Sequence, residues 1–362
     1  MGDTTQRSLA ETIVKILVNH IALAKGENSQ YSDSQDFLVW SWAAVNQISV
    51  QESSEQLQEC GYDVPCGDTV LDRLTHQPLE LLTEGFDTLL QDLLTRARKQ
   101  RLFTHASIGA IDFTDLPWYG EELPFTVKGK PKKGTNTFIR FATIAVVEDG
   151  KRFTLKAVPV TPFSSKEKIV QDLIAYAEKL VDLRVVLFDR GFYTNQVVQT
   201  VNEMDEEFVM PAVKNDKVKA TMEQAYQDGP LSYEMSDGAT YTMVVARDEE
   251  QEKLLPYATN MDIDAATAHE LYSHRFGIET QYRVKNNVLG NTCSKKHRFR
   301  YAFFVLALAL YNLWILVNIA ERGRQGLNPG TIPLKLDRLQ HLFRRYIYEH
   351  ASTSTPTITW IE

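Results

Sequence analysis

Cysteine is scarce in this chain. Cys60, Cys66 and Cys293 are the only three in 362 residues. None belongs to a CxxC pair, and no histidine stands at zinc spacing from Cys60 or Cys66, so a structural zinc site is not expected. Free thiols suit a reducing compartment. The opening Met1-Gly2-Asp3-Thr4-Thr5-Gln6-Arg7 lacks the basic-then-apolar order of a secretory leader. A cytoplasmic protein is the expectation. Internal repeats and low-complexity tracts are missing as well. So is any grouping of Ser164, Ser165 or the histidines with an acid, which leaves a nucleophilic serine hydrolase without support.

The chain also lacks an excess of positive charge, its formal net charge being −8. Spread evenly, that would argue against a nucleic-acid partner. It is not spread evenly. Residues 1–100 hold 15 acids and 7 bases, which accounts for the whole excess, and the remainder is balanced at 32 against 32. The bases of that remainder are clustered, and binding responds to local potential rather than to the sum. Lys128, Lys130, Lys132, Lys133 and Arg140 form one cluster, read as a flexible basic loop between two strands. Lys295, Lys296, His297, Arg298 and Arg300 form a second.

The length predicts two or three domains. A hydrophobic share of 43% supplies material for a core. Residues 1–100 read as a helical N-terminal domain, with helices over 12–24, 36–48, 49–59 and from Asp68. The pair around Cys60-Gly61 fits a helix-turn-helix that reads DNA, and any small helical bundle gives the same string. Residues 301–320 carry no charge and are long enough to span a membrane. Asn312 and Asn318 interrupt them and basic residues flank both ends, so a buried central helix is the expectation. Residues 326–362 read as a C-terminal helix and tail.

From Ser107 the apolar period changes to two. Strands are predicted over 107–112, 137–147 and 152–160. The last two form a hairpin turned at Glu148-Asp149-Gly150-Lys151. A helix over 164–183, a strand over 184–188, a helix over 194–204 and a strand over 207–211 follow. Residues 212–262 read as a β-rich insertion, and a single helix is predicted from about Asp264 to Asn286. This is the element order of a ribonuclease-H-like α/β fold, a mixed sheet with flanking helices, over residues 101–325.

Three acids stand out in that order. Asp112 closes one apolar strand and Asp189 closes another, while Glu279 sits on the late helix. The first and fourth strands of this fold are neighbours, so the aspartates are expected to meet. Asp115 competes with Asp112 but lies past the expected strand end. On the helix, Tyr272, Arg275 and Glu279 are spaced i, i+3 and i+7 and share a face. Carboxylates on two strand ends and one helix can hold two divalent ions and cut a phosphodiester. An arginine and a tyrosine beside them can hold a phosphate.

These residues carry a resemblance. Ile111-Asp112-Phe113-Thr114-Asp115, Asp189-Arg190-Gly191-Phe192 and Tyr272-x2-Arg275-x3-Glu279 resemble the signatures of the DDE insertion-sequence transposases of the IS-four-like superfamily, closest to the archaeal ISH group. The resemblance covers about residues 100–320. The signature lysine of that group falls at Asn286 here, so Lys285, one residue earlier, and Arg283 are the candidates for its role. The resemblance implies that Asp112, Asp189 and Glu279 bind two Mg²⁺, with Mn²⁺ able to substitute. Tyr272, Arg275, Lys285, Arg190, Lys130, Lys132, Lys133 and Arg283 would then contact DNA phosphates. It implies cleavage at transposon ends and 3′-hydroxyl strand transfer on double-stranded DNA, both terminal inverted repeats and target. It further implies a homodimer on DNA, in the nucleoid of a prokaryotic cytoplasm, with no membrane partner. Two alternatives stay open. A ribonuclease-H-fold nuclease would cut without joining, and an inactive relic of a mobile element would bind DNA only.

Overall fold

Side-chain alternation in the middle of the chain builds a nine-stranded mixed sheet. The structure is a computed structural model and describes residues 9–100, 103, 105–148, 151–248, 252–328 and 330–351. In chain order, α1 (Leu9–His20), α2 (Asp33–Asn46), α3 (Val50–Glu59), α4 (Gly67–His76) and α5 (Leu79–Lys99) come first. They are followed by β1 (Ser107–Pro117), β2 (Val127–Lys132), β3 (Thr135–Val146), β4 (Phe153–Val160), α6 (Lys166–Glu178), β5 (Leu183–Phe188), α7 (Asn195–Glu203) and β6 (Phe208–Pro211). Then come α8 (Asp216–Asp228), β7 (Leu231–Glu234), β8 (Thr240–Asp248), β9 (Lys253–Thr259), α9 (Ala265–Ser273), α10 (Phe276–Lys285), α11 (His297–Gln325) and α12 (Leu336–Glu349). The chain divides into a helical unit, residues 1–96 with 283–362, and a sheet unit, residues 97–282.

In the sheet unit β3 lies antiparallel to β1, β2 and β4, and β1 runs parallel to β5, which runs parallel to β6. Antiparallel strands leading into parallel ones, with helices attached, is the ribonuclease-H-like mixed sheet. Beyond β6 the sheet continues through β9, β8 and β7. The alternate residues Ile108, Ala110, Val185, Leu187 and Val209 share one apolar layer with Leu271, Tyr272, Ile278 and Tyr282 from the segment containing α9 and α10. The intervening residues Ile111, Val186 and Phe188 are buried on the other face. The period-2 strands are therefore covered on both sides, which explains their nearly unbroken apolar runs.

Several expectations need correction. The basic segment 128–133 is not a loop, because Val127–Lys132 is an edge strand paired to β3. Lys133 (φ 53°) and Gly134 (φ 80°) make the two-residue turn between them, with Lys132 opposite Thr135. Positive φ at both central residues is the type I′ geometry of a tight hairpin. Lysines and Pro131 along an outer strand also discourage edge-to-edge pairing. The insertion at 212–262 holds a helix as well as strands: Lys217 and Lys219 lie on α8, capped by Asn215, whose Oδ1 accepts from Val218 N at 2.8 Å. The β3–β4 hairpin pairs as expected, with Thr143 opposite Ala157. Asp149 and Gly150, assigned to its turn, lie outside the described residues. The single late helix is two helices, α9 and α10, separated at His274 and Arg275.

In the helical unit Trp40 packs edge-on against Phe86 and Phe303. α11 is long and apolar enough to cross a membrane, yet its most apolar window is 94% buried within the protein, as in a core helix. Asn318 explains one polar interruption. Its Nδ2 donates to the carbonyls of Trp314 (2.9 Å) and Leu334 (3.0 Å), and its Oδ1 accepts from Leu334 N (2.9 Å). A buried amide with both ends satisfied costs little and pins the chain beyond the helix.

Candidate active site

The register of β1 and β5 sets the site. Gly109 lies opposite Val186, Ala110 opposite Leu187 and Ile111 opposite Phe188, so Asp112 and Asp189 come next in step on neighbouring parallel strands. Their parity matches Ala110 and Leu187, which turns both toward the layer that contains Ile278 and Tyr282 of α10. Asp189 ends its strand by capping a short turn, its Oδ2 accepting from Gly191 N at 3.4 Å. Phe192 anchors that turn by stacking on Phe113, ring centroids 4.4 Å apart. The Asp-Arg-Gly-Phe sequence thus has a structural purpose, which is to end β5 with its acid in place.

Asp112 is 8% exposed. Its Oδ1 accepts from Phe113 N at 2.8 Å, and its Oδ2 lies 3.5 Å from Nη1 of Arg275. Burial pushes the Asp112 carboxyl up to about 7 against the pull of Arg275, and the negative charges of Asp189 and Glu279 add to the rise. Both other carboxylates are therefore within electrostatic reach. Arg275 is buried, and its Nη2 lies 2.5 Å from Oε1 of Glu279. Its guanidinium also rests over the rings of Tyr272 (5.4 Å) and Phe276 (5.1 Å). Glu279 itself is open, its side chain 52% exposed. Tyr272 is buried beside Tyr257, and burial holds its hydroxyl above the ordinary range, Arg275 opposing and Asp189 reinforcing.

Asp115 does not join this group. It sits on the opposite face of β1 and is held by Arg140, Nε to Oδ1 at 2.7 Å and Nη2 to Oδ2 at 2.9 Å. A two-pronged pair of this kind occupies both carboxylate oxygens. Arg190 is exposed and lines a groove of about 400 Å³ with Lys214, Tyr257, Tyr272 and Phe276. Lys130, Lys132 and Lys133 are exposed on the β2–β3 hairpin, and Arg283 is exposed on α10. Lys285 is a correction. Its side chain is 0% exposed, its ammonium lies 4.2 Å from the centre of the Phe304 ring, and burial pulls it down to about 7. A group so enclosed is not presented to a phosphate in this structure.

Three residues hold the geometry without having been singled out in the sequence. The Tyr282 hydroxyl donates to the backbone oxygen of Asp112 at 3.2 Å and bonds Oγ1 of Thr143 at 2.5 Å, tying α10 to β1 and β3. Gly277 lets α10 approach closely, because a Cβ there would stand 2.9 Å from the Val147 carbonyl. Tyr282 had a visible signal, lying three residues after Glu279 on the same helical face. Gly277 and Thr143 had none, because their neighbours are distant in sequence.

The carboxylates have the donor chemistry of Mg²⁺ or Mn²⁺. The raised Asp112 carboxyl comes first from burial, with the charges of Asp189 and Glu279 adding to it, and a cation at the site would relieve both. Among the described residues no group of three His, Cys, Asp or Glu side chains is gathered closely enough to hold one ion. Arg275, lying against both Asp112 and Glu279, serves as their counter-charge.

The fold is a ribonuclease-H-like mixed sheet with Asp112 on β1 and Asp189 directly after β5. The model of the transposase DDE domain family matches residues 104–313, more than half of the chain, and the protein belongs to that family of transposases. Family members generally use divalent metals. Among solved structures the chain is similar to the piggyBac transposase in a synaptic complex with hairpin DNA. They share 12% identity, with 97% of this chain and 83% of that one covered at a TM-score of 0.53, which shows a shared fold. The Mos1 strand transfer complex aligns with 10% identity over 88% of this chain and 80% of that one, at a TM-score of only 0.19. No curated protein matches the chain.

Proposed function

We propose that this protein is a metal-dependent, cut-and-paste transposase that cleaves DNA at transposon ends and joins the freed 3′-hydroxyl to target DNA. The observation that supports this reading is that Asp112 and Asp189 stand in step on the neighbouring strands β1 and β5, while Arg275 bridges Asp112 to Glu279 of α10. Asp112 is the natural shared ligand, flanked by Asp189 and Glu279. Two bound Mg²⁺ or Mn²⁺ would supply an activated water and a Lewis acid for the leaving oxygen. The protein's own part is to hold the three acids, to keep Asp115 occupied by Arg140, and to offer cations to the phosphate. Arg275 stands beside the acids for that purpose, and the neutral Tyr272 hydroxyl beside it can hydrogen-bond a phosphate oxygen. Arg190, Arg283, Lys130, Lys132 and Lys133 are exposed cations and would contact DNA phosphates.

Within the family we assign the chain to the IS-four-like superfamily, near the archaeal ISH group, on its Tyr272-x2-Arg275-x3-Glu279 and Asp189-Arg190-Gly191-Phe192 motifs. Its partners would be double-stranded DNA, as terminal inverted repeats and as target. Two ends must be held at once, so a homodimer on DNA is part of the proposal. The setting would be the nucleoid of a prokaryotic cytoplasm.

The test uses duplex DNA bearing the element's own ends, Mg²⁺ or Mn²⁺, and wild type beside Glu279→Gln. Metal-dependent nicking and joining that vanish in Glu279→Gln are expected. Cleavage without joining would leave a nuclease. Equal binding by both proteins without either reaction would leave a DNA-binding relic.

A further inference from the structure

α1 has more apolar side chains than it buries. Ala10, Ile13, Ile16 and Leu17 are buried. Val14 and Val18, one turn apart, form a second stripe that is only half-buried. They line a groove of about 850 Å³ between α1, α2 and α12, wholly within the helical unit. Leu38 of α2 and Ile347 of α12 extend its apolar wall, and Lys15 stands exposed at its rim. The walls are held in place. Tyr62 donates its hydroxyl to Ile347 O at 3.0 Å, and Tyr346 donates its own to Glu11 Oε1 at 3.0 Å. A preformed apolar groove of this size favours an occupant over water.

The chain that leaves the groove supplies one. α12 ends at Glu349, just beyond Ile347. Residues 352–362 follow and lie outside the described residues. They begin Ser352-Thr353-Ser354-Thr355-Pro356-Thr357, with no charge and no large apolar side chain, and continue Ile358-Thr359-Trp360-Ile361-Glu362. The first part has the composition of a linker, and the second is an apolar anchor with an acid beside it. The stretch from Ala351 to Ile358 can span roughly 25 Å. The α1 side of the groove, from Ala10 to Asn19, is only about 14 Å long. The anchor therefore reaches the whole groove from its own α12, and Glu362 is complementary to Lys15. A linker this short gives an effective concentration on the order of millimolar, so the anchor of the same copy outcompetes that of a second copy in dilute solution.

We propose that Ile358, Trp360 and Ile361 dock in the α1–α2–α12 groove of their own chain as a strap, with Glu362 against Lys15. The strap covers the Val14–Val18 stripe and fastens the segment after α12 to the first helix. It does not depend on the transposase reading.

The experiment uses the full chain with the photo-crosslinking residue p-benzoylphenylalanine in place of Trp360. Irradiation of dilute protein is expected to join position 360 to α1 or α2 near Val14, Val18 and Leu38, in a product of monomer size located by peptide mass spectrometry. Val14→Asp should abolish that product while leaving helix content unchanged by circular dichroism. Should Val14→Asp fail to fold, the surface change Lys15→Glu should slow crosslinking by about two- to five-fold, and adding Glu362→Lys should restore it. In protein without the crosslinker, Trp360→Ala should increase the fluorescence of the apolar dye ANS, and Trp360→Phe should not. A product of dimer size joining the same residues would place the anchor of a second copy in the groove and overturn the strap. Crosslinks elsewhere in the protein, no crosslink at all, or a yield indifferent to these substitutions would overturn it as well.

Discussion

Two aspartates three residues apart on β1 meet opposite fates. Asp112 is buried against Arg275 with Asp189 and Glu279 within electrostatic reach, while Asp115 is gripped by Arg140 on the other face of the strand. Asp112→Asn should reduce cleavage to background in a gel assay. Asp115→Asn should keep activity within a few-fold and lose about 1 kcal/mol or less in a melting experiment, because its pair with Arg140 is partly exposed. The sequence distinguished them by placing Asp115 past the strand end, and that expectation is corrected, because β1 runs to Pro117 and carries both. The stronger reason, the two-pronged pair with a residue 25 positions away, is tertiary. Lys285 shows the reverse failure. A lysine one residue from a signature position reads as functional, yet its ammonium is enclosed. Its folded value near 7 lies below the ordinary 10.5, so the burial penalty is complete below pH 7 and fades as pH rises toward 10.5. Wild type should therefore gain stability from pH 7 to pH 10. Lys285→Met should lack that gain and be more stable at pH 7 by on the order of 2–4 kcal/mol in denaturant titrations.

Elements with a clean period were legible. β5 and β6 fall within a residue of the expected strands, and the β3–β4 pairing follows from two apolar runs either side of a turn signal. β2 was not legible, because Lys-Gly-Lys-Pro-Lys has no apolar alternation and gains its structure from β3. The division between α9 and α10 was hidden for a similar reason. The local string from Ala265 to Lys285 suits one helix, and the close approach of Gly277 to the Val147 carbonyl appears only in three dimensions. That contact is testable. Gly277→Ala should displace α10 from the end of β3 and carry Glu279, two residues on, with it. The expected cost is about 1–3 kcal/mol of stability. Single-turnover cleavage should slow by roughly 100-fold, the penalty of an ångström-scale misplacement.

At the scale of the whole molecule, the adjacency of β1 and β5 was recoverable because ribonuclease-H-like topology follows from the order of strands and helices. The helical unit was not, because it joins residues 1–96 to residues 283–362, a relation that local periodicity cannot carry. The sheet unit supports a prediction about metal. If Asp112, Asp189 and Glu279 hold divalent ions in the folded state, as proposed, the unfolded chain loses them, so Mn²⁺ should raise the melting temperature and EDTA should reverse it. At a concentration 100 times Kd the gain is about 2.7 kcal/mol. Asp112→Asn should lose most of that gain, and a wild type whose melting ignores Mn²⁺ would count against the metal reading.

The alternation along β1 has a consequence for how such a gene decays. One extra codon between Ala110 and Asp112 would preserve the reading frame and every acid in the protein. It would also turn Asp112 from the face shared with Ala110 to the face of Ile111. The same codon added at Lys133-Gly134 would lengthen only an exposed hairpin tip. An alanine insertion at each place, assayed for DNA cleavage, should silence the first protein and spare the second. Copies of such an element could then lose their activity with all their signature residues intact.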